Sequence, residues 1–493
     1  MALPRLESRA PPGAEDDAGF NVKGSTHTRQ YAQMYYARLA RVRERMRRAW
    51  PARAERFTSL LRAGSPGDGG GGPMPLVVGT IYKEQALKPN VLDRYTKGQL
   101  LSAASATGAI GPRDGWDKLV DGEKDAVIIE DESARMRLIL DAAGGAAELG
   151  KLVTGVVVAC EGHASPVDGC FHASRLLFVP PACARADAAA GLLGPAAPGP
   201  GPSPLLVLAS GLDVGGDRCN HLRLQLLIDY LTGNAGSAAD QGRSSRVVRV
   251  VLAGGTLSLR ESYRHAIGSG AHDQRDAGEG QRAGGGGGGG AGVRCSAPRA
   301  TLKARLREVD VALCELASGV PLDVMPGEGE PTNHNVPQQP FHKMLFPGLE
   351  HYTGDSVRLS TNPHSFSEHG ARFLGTSGQN VHDVYRYSTL ESELDILAAT
   401  LAWGCLAPTA PDTLPCYPVA DRDVFAIEEW PDVYFAGMAR EFGTRTASFE
   451  HADGSTSRTR LVTVPDFQST GTVAVVDLRT MECSAMTFGA DGL

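Results

Sequence analysis

At 493 residues, 42% hydrophobic and 21% charged, the chain is too long for one ordinary core and has the balance of a globular protein, so two folded domains plus tails are expected. A formal charge of −7 excludes a protein that coats nucleic acid by bulk electrostatics; any DNA contact has to come from a local basic patch or from a partner. The longer apolar runs, Leu152–Cys160 and Leu205–Ala209, fall far short of a membrane span, and the N-terminal MALPRLESRAPPGAEDD has no apolar signal core.

Residues 1–24, rich in Pro, Ala and acid, read as a disordered tail. Over 25–64 the pattern turns helical: Tyr31, Tyr35, Leu39, Val42, Met46 and Trp50 recur at spacings of three and four, Thr26 or Thr28 is placed to cap, and Pro51 to stop the helix. Arg38, Arg41, Arg43, Arg45, Arg47 and Arg48 fall on the other face. Such a run is ordinarily a solvated face; Arg41, Arg45 and Arg48 are the candidates if it meets DNA or a partner.

Gly69–Gly72 and Pro73 make a linker into residues 73–190, which hold five strand-like runs: Leu76–Tyr82, Ala126–Glu130, Arg135–Leu140, Leu152–Cys160 and Cys170–Val179. Five strands with one long excursion after the first fit a small barrel of the oligonucleotide-binding type. Such barrels grip single strands with exposed aromatics beside basic groups. Here only Tyr82 and Phe171 are on offer, so protein contact is the expected use.

After a Pro/Gly/Ala linker at Gly191–Pro204 the texture becomes alternating strands and helices over 203–493. Leu205–Ala209 reads as a strand covered on both faces, and His221–Thr232 as a helix burying Leu222, Leu226 and Leu227. Arg246–Ala253 is the next strand. A low-complexity insert at about 262–298, with seven glycines at Gly284–Gly290, cannot bury enough to order itself. Leu302, Leu306, Val309, Leu313 and Leu316 mark a helix, Leu390, Leu394, Leu397 and Leu401 another. Strands fit Val357–Leu359, Arg372–Leu374, Val433–Phe435, Arg460–Val464 and Val473–Leu478. An α/β sandwich results.

The stretch Val320–Pro347, VPLDVMPGEGEPTNHNVPQQPFHKMLFP, runs from an apolar strand through a Gly turn into a polar loop, the way open α/β sheets build sites. A two-metal phosphoesterase needs carboxylates and imidazoles at such strand ends, ordered as Asp-x-His, Gly-Asp-x-x-Asp, Gly-Asn-His and Gly-His-x-His. The chain offers Ser210-Gly211, Gly254-Gly255, Gly327-Glu328 and Gly437-Met438 at the four turns. The turns are kept and the ligands are missing, so neither catalysis, metal nor cofactor is expected. His334, His342, His364 and His369 match no ligand spacing, and P-loop, GxSxG and HExxH motifs are absent. Asn333 and His334 read as loop-ordering or partner-facing groups; Phe341, Leu345 and Phe346 either anchor a partner or pin the loop to the core. Nine cysteines without a Cys-x-x-Cys pair, and no Asn-x-Ser/Thr acceptor, indicate reduced thiols in cytosol or nucleus.

Segments spread collinearly over the chain carry a resemblance. They include VVGTIYKEQALKPNVL (77–92), IIEDESARMRL (128–138), LLIDYLTGNAG (226–236), VPLDVMPGEGEPTNHNVPQQPFH (320–342), RFLGTSGQNVHDVYRYS (372–388) and LVTVPDFQSTGTVAVVDLR (461–479). In them the sequence resembles the B-subunit family of replicative polymerases, in its branch of small (second) subunits of DNA polymerase delta. That resemblance implies an oligonucleotide-binding barrel joined to a calcineurin-like phosphoesterase sandwich without its metal ligands. It also implies a nuclear, non-catalytic scaffold in DNA replication and repair. The partners implied are the C-terminal metal-binding domain of the catalytic subunit and a third, clamp-binding subunit, with sharing by the translesion polymerase zeta. The Gly-rich insert departs from compact members, and Gly255 and Met438 stand where asparagines are expected. The alternatives are an active metallophosphoesterase and a stand-alone single-strand DNA binder.

Overall fold

In the computed structural model the described residues are 5–6, 16–22, 30–64, 74–88, 117–179, 201–216, 218–257, 297–352, 356–419, 422–450 and 456–489. The first helix, α1 (Ala32–Ala49), buries Met34, Arg38, Leu39, Val42 and Met46. Of the expected stripe, Leu39, Val42 and Met46 are buried, Tyr35 and Trp50 half-buried and Tyr31 exposed, while Arg38 is inside. Arg38 can go in because every donor is used. Its Nε donates to Asp423 Oδ2 at 2.7 Å, Nη1 to the carbonyls of Gly155 (3.2 Å) and Pro408 (2.9 Å), and Nη2 to that of Ala410 (3.3 Å). A buried charge is tolerated when it is paired and fully hydrogen-bonded. The helix stops at Trp50, before Pro51; Thr26 and Thr28 lie outside the described residues.

Strand β1 (Phe57–Thr58) runs parallel to the start of β2 (Leu76–Glu84). The chain continues through β3 (Ala126–Glu130), β4 (Arg135–Leu140), α2 (Gly145–Lys151), β5 (Val157–Ala164) and β6 (Phe171–Leu177). The order β2-β3-β4-β6-β5 closes on itself because β5 returns to β2, with Val77 opposite Cys160 and Thr80 opposite Val157. Only β4 and β6 pair parallel within the ring. This is the five-stranded oligonucleotide-binding barrel, with a short helix between its third and fourth strands. The fourth strand starts at Val157, later than the apolar run suggested. Gly155 (φ +89°) first turns the chain, and a Cβ there would lie 2.0 Å from the Pro408 carbonyl oxygen. Glycine permits both the positive φ and the approach.

The larger region has two sheets face to face. Its elements in order are β7 (Leu205–Ala209), α3 (His221–Thr232), α4 (Ala238–Ser244), β8 (Val247–Ala253), α5 (Ala297–Ala317), β9 (Leu322–Met325), β10 (Val357–Leu359), β11 (His364–Glu368), β12 (Ala371–Thr376), α6 (Gln379–Tyr387), α7 (Glu393–Trp403), β13 (Val433–Ala439), β14 (Gly443–Glu450), β15 (Thr456–Pro465), α8 (Phe467–Thr470), β16 (Thr472–Asp477) and β17 (Cys483–Thr487). One sheet has the order β10-β9-β8-β7-β16-β17, the other β11-β12-β13-β15-β14. Strands β7 to β10 pair parallel, as do β12, β13 and β15. Leu206, Leu208, Val251 and Met325 from the first sheet meet Phe366, Phe373, Phe435 and Val462 from the second. Helices α3 and α5 cover the far face of the first sheet through Leu227, Leu313 and Leu316. Leu222, expected inside, is 56% exposed; Leu224 and Ile228 take the buried positions.

The far face of the second sheet is covered by α6 and α7, and beyond them lies the barrel. One apolar cluster runs from Val77, Ile129 and Phe171 of the barrel to Val384, Leu401 and Tyr434 of the sandwich. Two lysines cross the same seam to the C-terminal end of α6. Lys83 Nζ donates to the carbonyls of Gly150 (3.0 Å), Leu152 (3.2 Å) and Tyr387 (3.1 Å). Lys118 Nζ donates to Ser388 O at 2.9 Å and lies 3.8 Å from the Tyr385 ring centroid. Cations suit a helix C-terminus, where the last carbonyls have no intrahelical donor.

The expected disordered tail is docked in part. Phe20 and Val22 are buried in the shared cluster, and Asp17 Oδ1 meets His364 Nδ1 at 2.8 Å. Residues 65–73, 180–200 and 258–296, which hold the first linker, most of the second and nearly all of the glycine insert, lie outside the described residues.

Candidate functional site at the strand ends

The turns after β7, β8 and β9 stand side by side in one sheet, and the bulge in β13 faces them from the other. Parallel strands end on one edge, so residues far apart in sequence converge. Gly211 N donates to Gly254 O at 3.0 Å, and Asp213 N to Gly255 O at 2.9 Å. Ser210 Oγ donates to Ala253 O (2.8 Å) and accepts from Met438 N (2.9 Å). A Cβ on Gly255 would sit 2.5 Å from Met438 Sδ and 2.9 Å from Gly211 Cα; one on Gly437 would sit 2.1 Å from Ala253 O. Ser210, Gly211, Gly254, Gly255, Gly327, Gly437 and Met438 are thus brought together, and they fill the space between them.

Glu328 is exposed. The carboxylate that enters is Glu330, only 6% exposed, which sequence reading missed. Its Oε2 accepts from Gly327 N at 2.5 Å and Gly255 N at 3.1 Å, and its Oε1 from Leu257 N at 2.8 Å. Burial pushes its carboxyl up to about 7, against the lowering effect of those backbone N–H groups. Nothing local distinguishes the two glutamates in Gly-Glu-Gly-Glu; only the converging amides do. The other carboxylates nearby are committed. Asp466 caps α8 through Gln468 N (3.1 Å) and pairs with Arg218 (3.0 Å), whose Nε also lies 3.7 Å from Asp213. Among the described residues no group of three or more His, Cys, Asp and Glu is arranged to hold a metal ion.

Asn333, Gln338 and the two phenylalanines of the Val320–Pro347 loop turn inward, while His334, His342, Lys343 and Met344 are exposed. Asn333 Oδ1 accepts from Gln339 N at 2.6 Å and its Nδ2 donates to Asn335 O. Gln338 Nε2 donates to Gly327 O (2.9 Å), while its Oε1 accepts from Asn362 (2.8 Å) and Gln379 (3.1 Å). Phe341 and Phe346 are both buried, edge to face at 5.6 Å, in the core under α5, with Leu345 packed beside them. His334 is exposed. Of the arginines proposed for contact, Arg41 pairs with Glu428 and Arg48 with Glu44 on its own helix, while Arg45 is half-buried and donates to Ile427 O at 3.2 Å. Arg38, Arg41 and Arg45 tie α1 to the sandwich, and Arg43 ties it to the barrel through Val78 O (3.0 Å) and Glu132.

His364 is wholly buried. Nδ1 faces Asp17, and Nε2 lies 3.2 Å from Asp323 Oδ2. Asp323 also pairs with Arg249 (2.7 Å), which pairs with Glu368 (2.8 Å). Burial opposes the imidazolium, but Asp17 and Asp323 outweigh it and raise His364 to about 9. This chain of charges seals one edge of the sandwich with residues from the N-terminal segment.

A five-stranded barrel and a two-sheet α/β region make up the described chain, and the comparisons with known proteins give its class. Residues 206–444 match the family model of the B subunit of DNA polymerase alpha/epsilon, and residues 30–176 that of the DNA polymerase delta subunit OB-fold domain. The class is thus that of the accessory B subunits of replicative polymerases. The DNA polymerase delta small subunit of Arabidopsis thaliana is 34% identical over 466 residues, 93% of this chain and 91% of that protein. That of Oryza sativa is 31% identical over 477 residues and the Drosophila melanogaster DNA polymerase delta subunit 2 is 32% identical over 476, each alignment covering 96% of both chains. The chain belongs to the DNA polymerase delta small-subunit family, and is an accessory, non-catalytic subunit of a replicative DNA polymerase.

Proposed function

We propose that this subunit is a rigid scaffold within the polymerase, holding the C-terminal metal-binding domain of the catalytic subunit and bridging it to a third, clamp-binding subunit. The observation that carries the reading is the unbroken core from barrel to sandwich, locked by Arg38 and the two lysines at the end of α6. A scaffold needs partner surfaces at fixed separations, and one packed body supplies them.

The larger region is read as a calcineurin-like phosphoesterase sandwich, spanning about 203–493, whose active site has been closed. The convergence of four strand-end turns with glycine, serine and methionine in place of ligands supports this. A nuclear site of action follows from a role in replication and repair, and none of the described helices is long and apolar enough to cross a membrane. Sharing with polymerase zeta is part of the same proposal. Co-purification with the catalytic subunit, with and without its C-terminal domain, tests it: loss of binding on removing that domain is expected.

A further inference from the structure

The Glu330 carboxylate is held in an unusual way. It is buried, and among the described residues it forms no ion pair with Lys, Arg or His and is bound by backbone N–H groups alone. These come from two separate turns: Gly255 and Leu257 after β8, with Thr256 N adding a further bond, and Gly327 after β9. Gly254 and Gly255 both take positive φ, +79° and +68°. Successive amides turned inward by such a backbone form a concave nest with positive potential, which is how proteins hold oxyanions without side-chain cations. The nest lies at the carboxyl ends of parallel strands, where α/β sheets place their ligands.

We propose that these amides form an oxyanion-binding nest and that Glu330 is its built-in occupant. The carboxylate stands where a free carboxylate or phosphate would sit, so the site is blocked by the chain itself. The nest belongs to the backbone, so its capacity to bind an oxyanion survives loss of the side chain. This inference rests on the amide geometry and is independent of the scaffold role.

The test uses the purified full-length chain at pH 8, where added formate and phosphate are ionised. In Glu330→Ala, thermal unfolding should begin several degrees below wild type, and formate should restore part of the loss where chloride at equal ionic strength does not. Formate alone restoring stability defines a nest of carboxylate size; phosphate doing so as well defines a wider one. Wild type, already occupied, should respond to each only as it does to chloride. A variant that gains no more from formate or phosphate than from chloride overturns the proposal, as does a wild type that gains equally. Glu330→Gln supplies a second readout should the alanine variant not fold. It keeps the shape and loses the anion, so the amides of Gly255, Leu257 and Gly327 should exchange hydrogen at least tenfold faster than in wild type. Unchanged protection there contradicts the assignment.

Discussion

Arg38 and His364 sit inside because their counter-charges arrive from distant parts of the chain, Asp423 for one and Asp17 with Asp323 for the other. Breaking such a pair from one side strands the remaining charge. Arg38→Ala is therefore expected to cost about 3–5 kcal/mol in denaturant unfolding, because Asp423 stays buried without its partner. Arg41→Ala, at an exposed pair, should change stability by less than about 1 kcal/mol. His364 makes stability depend on pH with a definite sign. Its folded value near 9 exceeds the ordinary 6.5, so its contribution is complete below about pH 6.5 and is lost as pH climbs toward 9. Lys83 runs the other way: burial lowers it to about 8 from 10.5, and the penalty for its charge is relieved only above that. Between pH 6.5 and 8 the Glu330 carboxyl, raised to about 7, also finishes ionising and lowers stability in both proteins, so the histidine effect is read as the difference between wild type and His364→Gln. Wild type should lose about 1–2 kcal/mol more than His364→Gln over that window by chemical denaturation; equal slopes would contradict the assignment. None of these charges was legible in the sequence. A buried arginine in a basic run looks like its exposed neighbours until the carbonyls that receive it are placed.

Strands and helices with a strong period were legible, and the exceptions have physical causes. The barrel strands, α5 and α7 follow their apolar spacing because packing on one face decides them. Strand β5 starts late because Gly155 has to turn beneath Pro408 first. In α3, Leu222 looked buried but belongs to the first, exposed turn. Strands β11 and β14 and helix α6 escaped notice because His364, Glu368, Arg445 and Asp383 break their apolar pattern, each satisfied by a specific partner. The four turns were found from their glycines, whereas the residue that fills them, Glu330, was not. Their tight packing makes a prediction about the family's expected asparagine. Gly255→Asn should cost about 2–3 kcal/mol, as overpacking does, because its Cβ meets both Met438 Sδ and Gly211 Cα. Adding Met438→Asn removes one of those contacts and should recover only part of the loss in the same assay.

Across the molecule, one continuous core joins barrel and sandwich, and on that ground they are expected to unfold as a single cooperative unit. Calorimetry of the isolated chain should show one unfolding transition, with Lys83→Met or Leu401→Ala moving all of it; two separable transitions would mean that the seam is weak. Division into a barrel and an α/β sandwich was suggested by the change of texture near residue 203. That the two share one core was not, since the contacts join residues more than two hundred apart. The claim that matters most is that this rigid body holds the catalytic subunit by its C-terminal domain. It is tested by purifying the full-length chain with the polymerase catalytic subunit, intact and lacking that domain, at moderate salt. A stoichiometric complex that disappears with the C-terminal domain is predicted; binding that persists without it, or no complex with the intact subunit, would contradict the account.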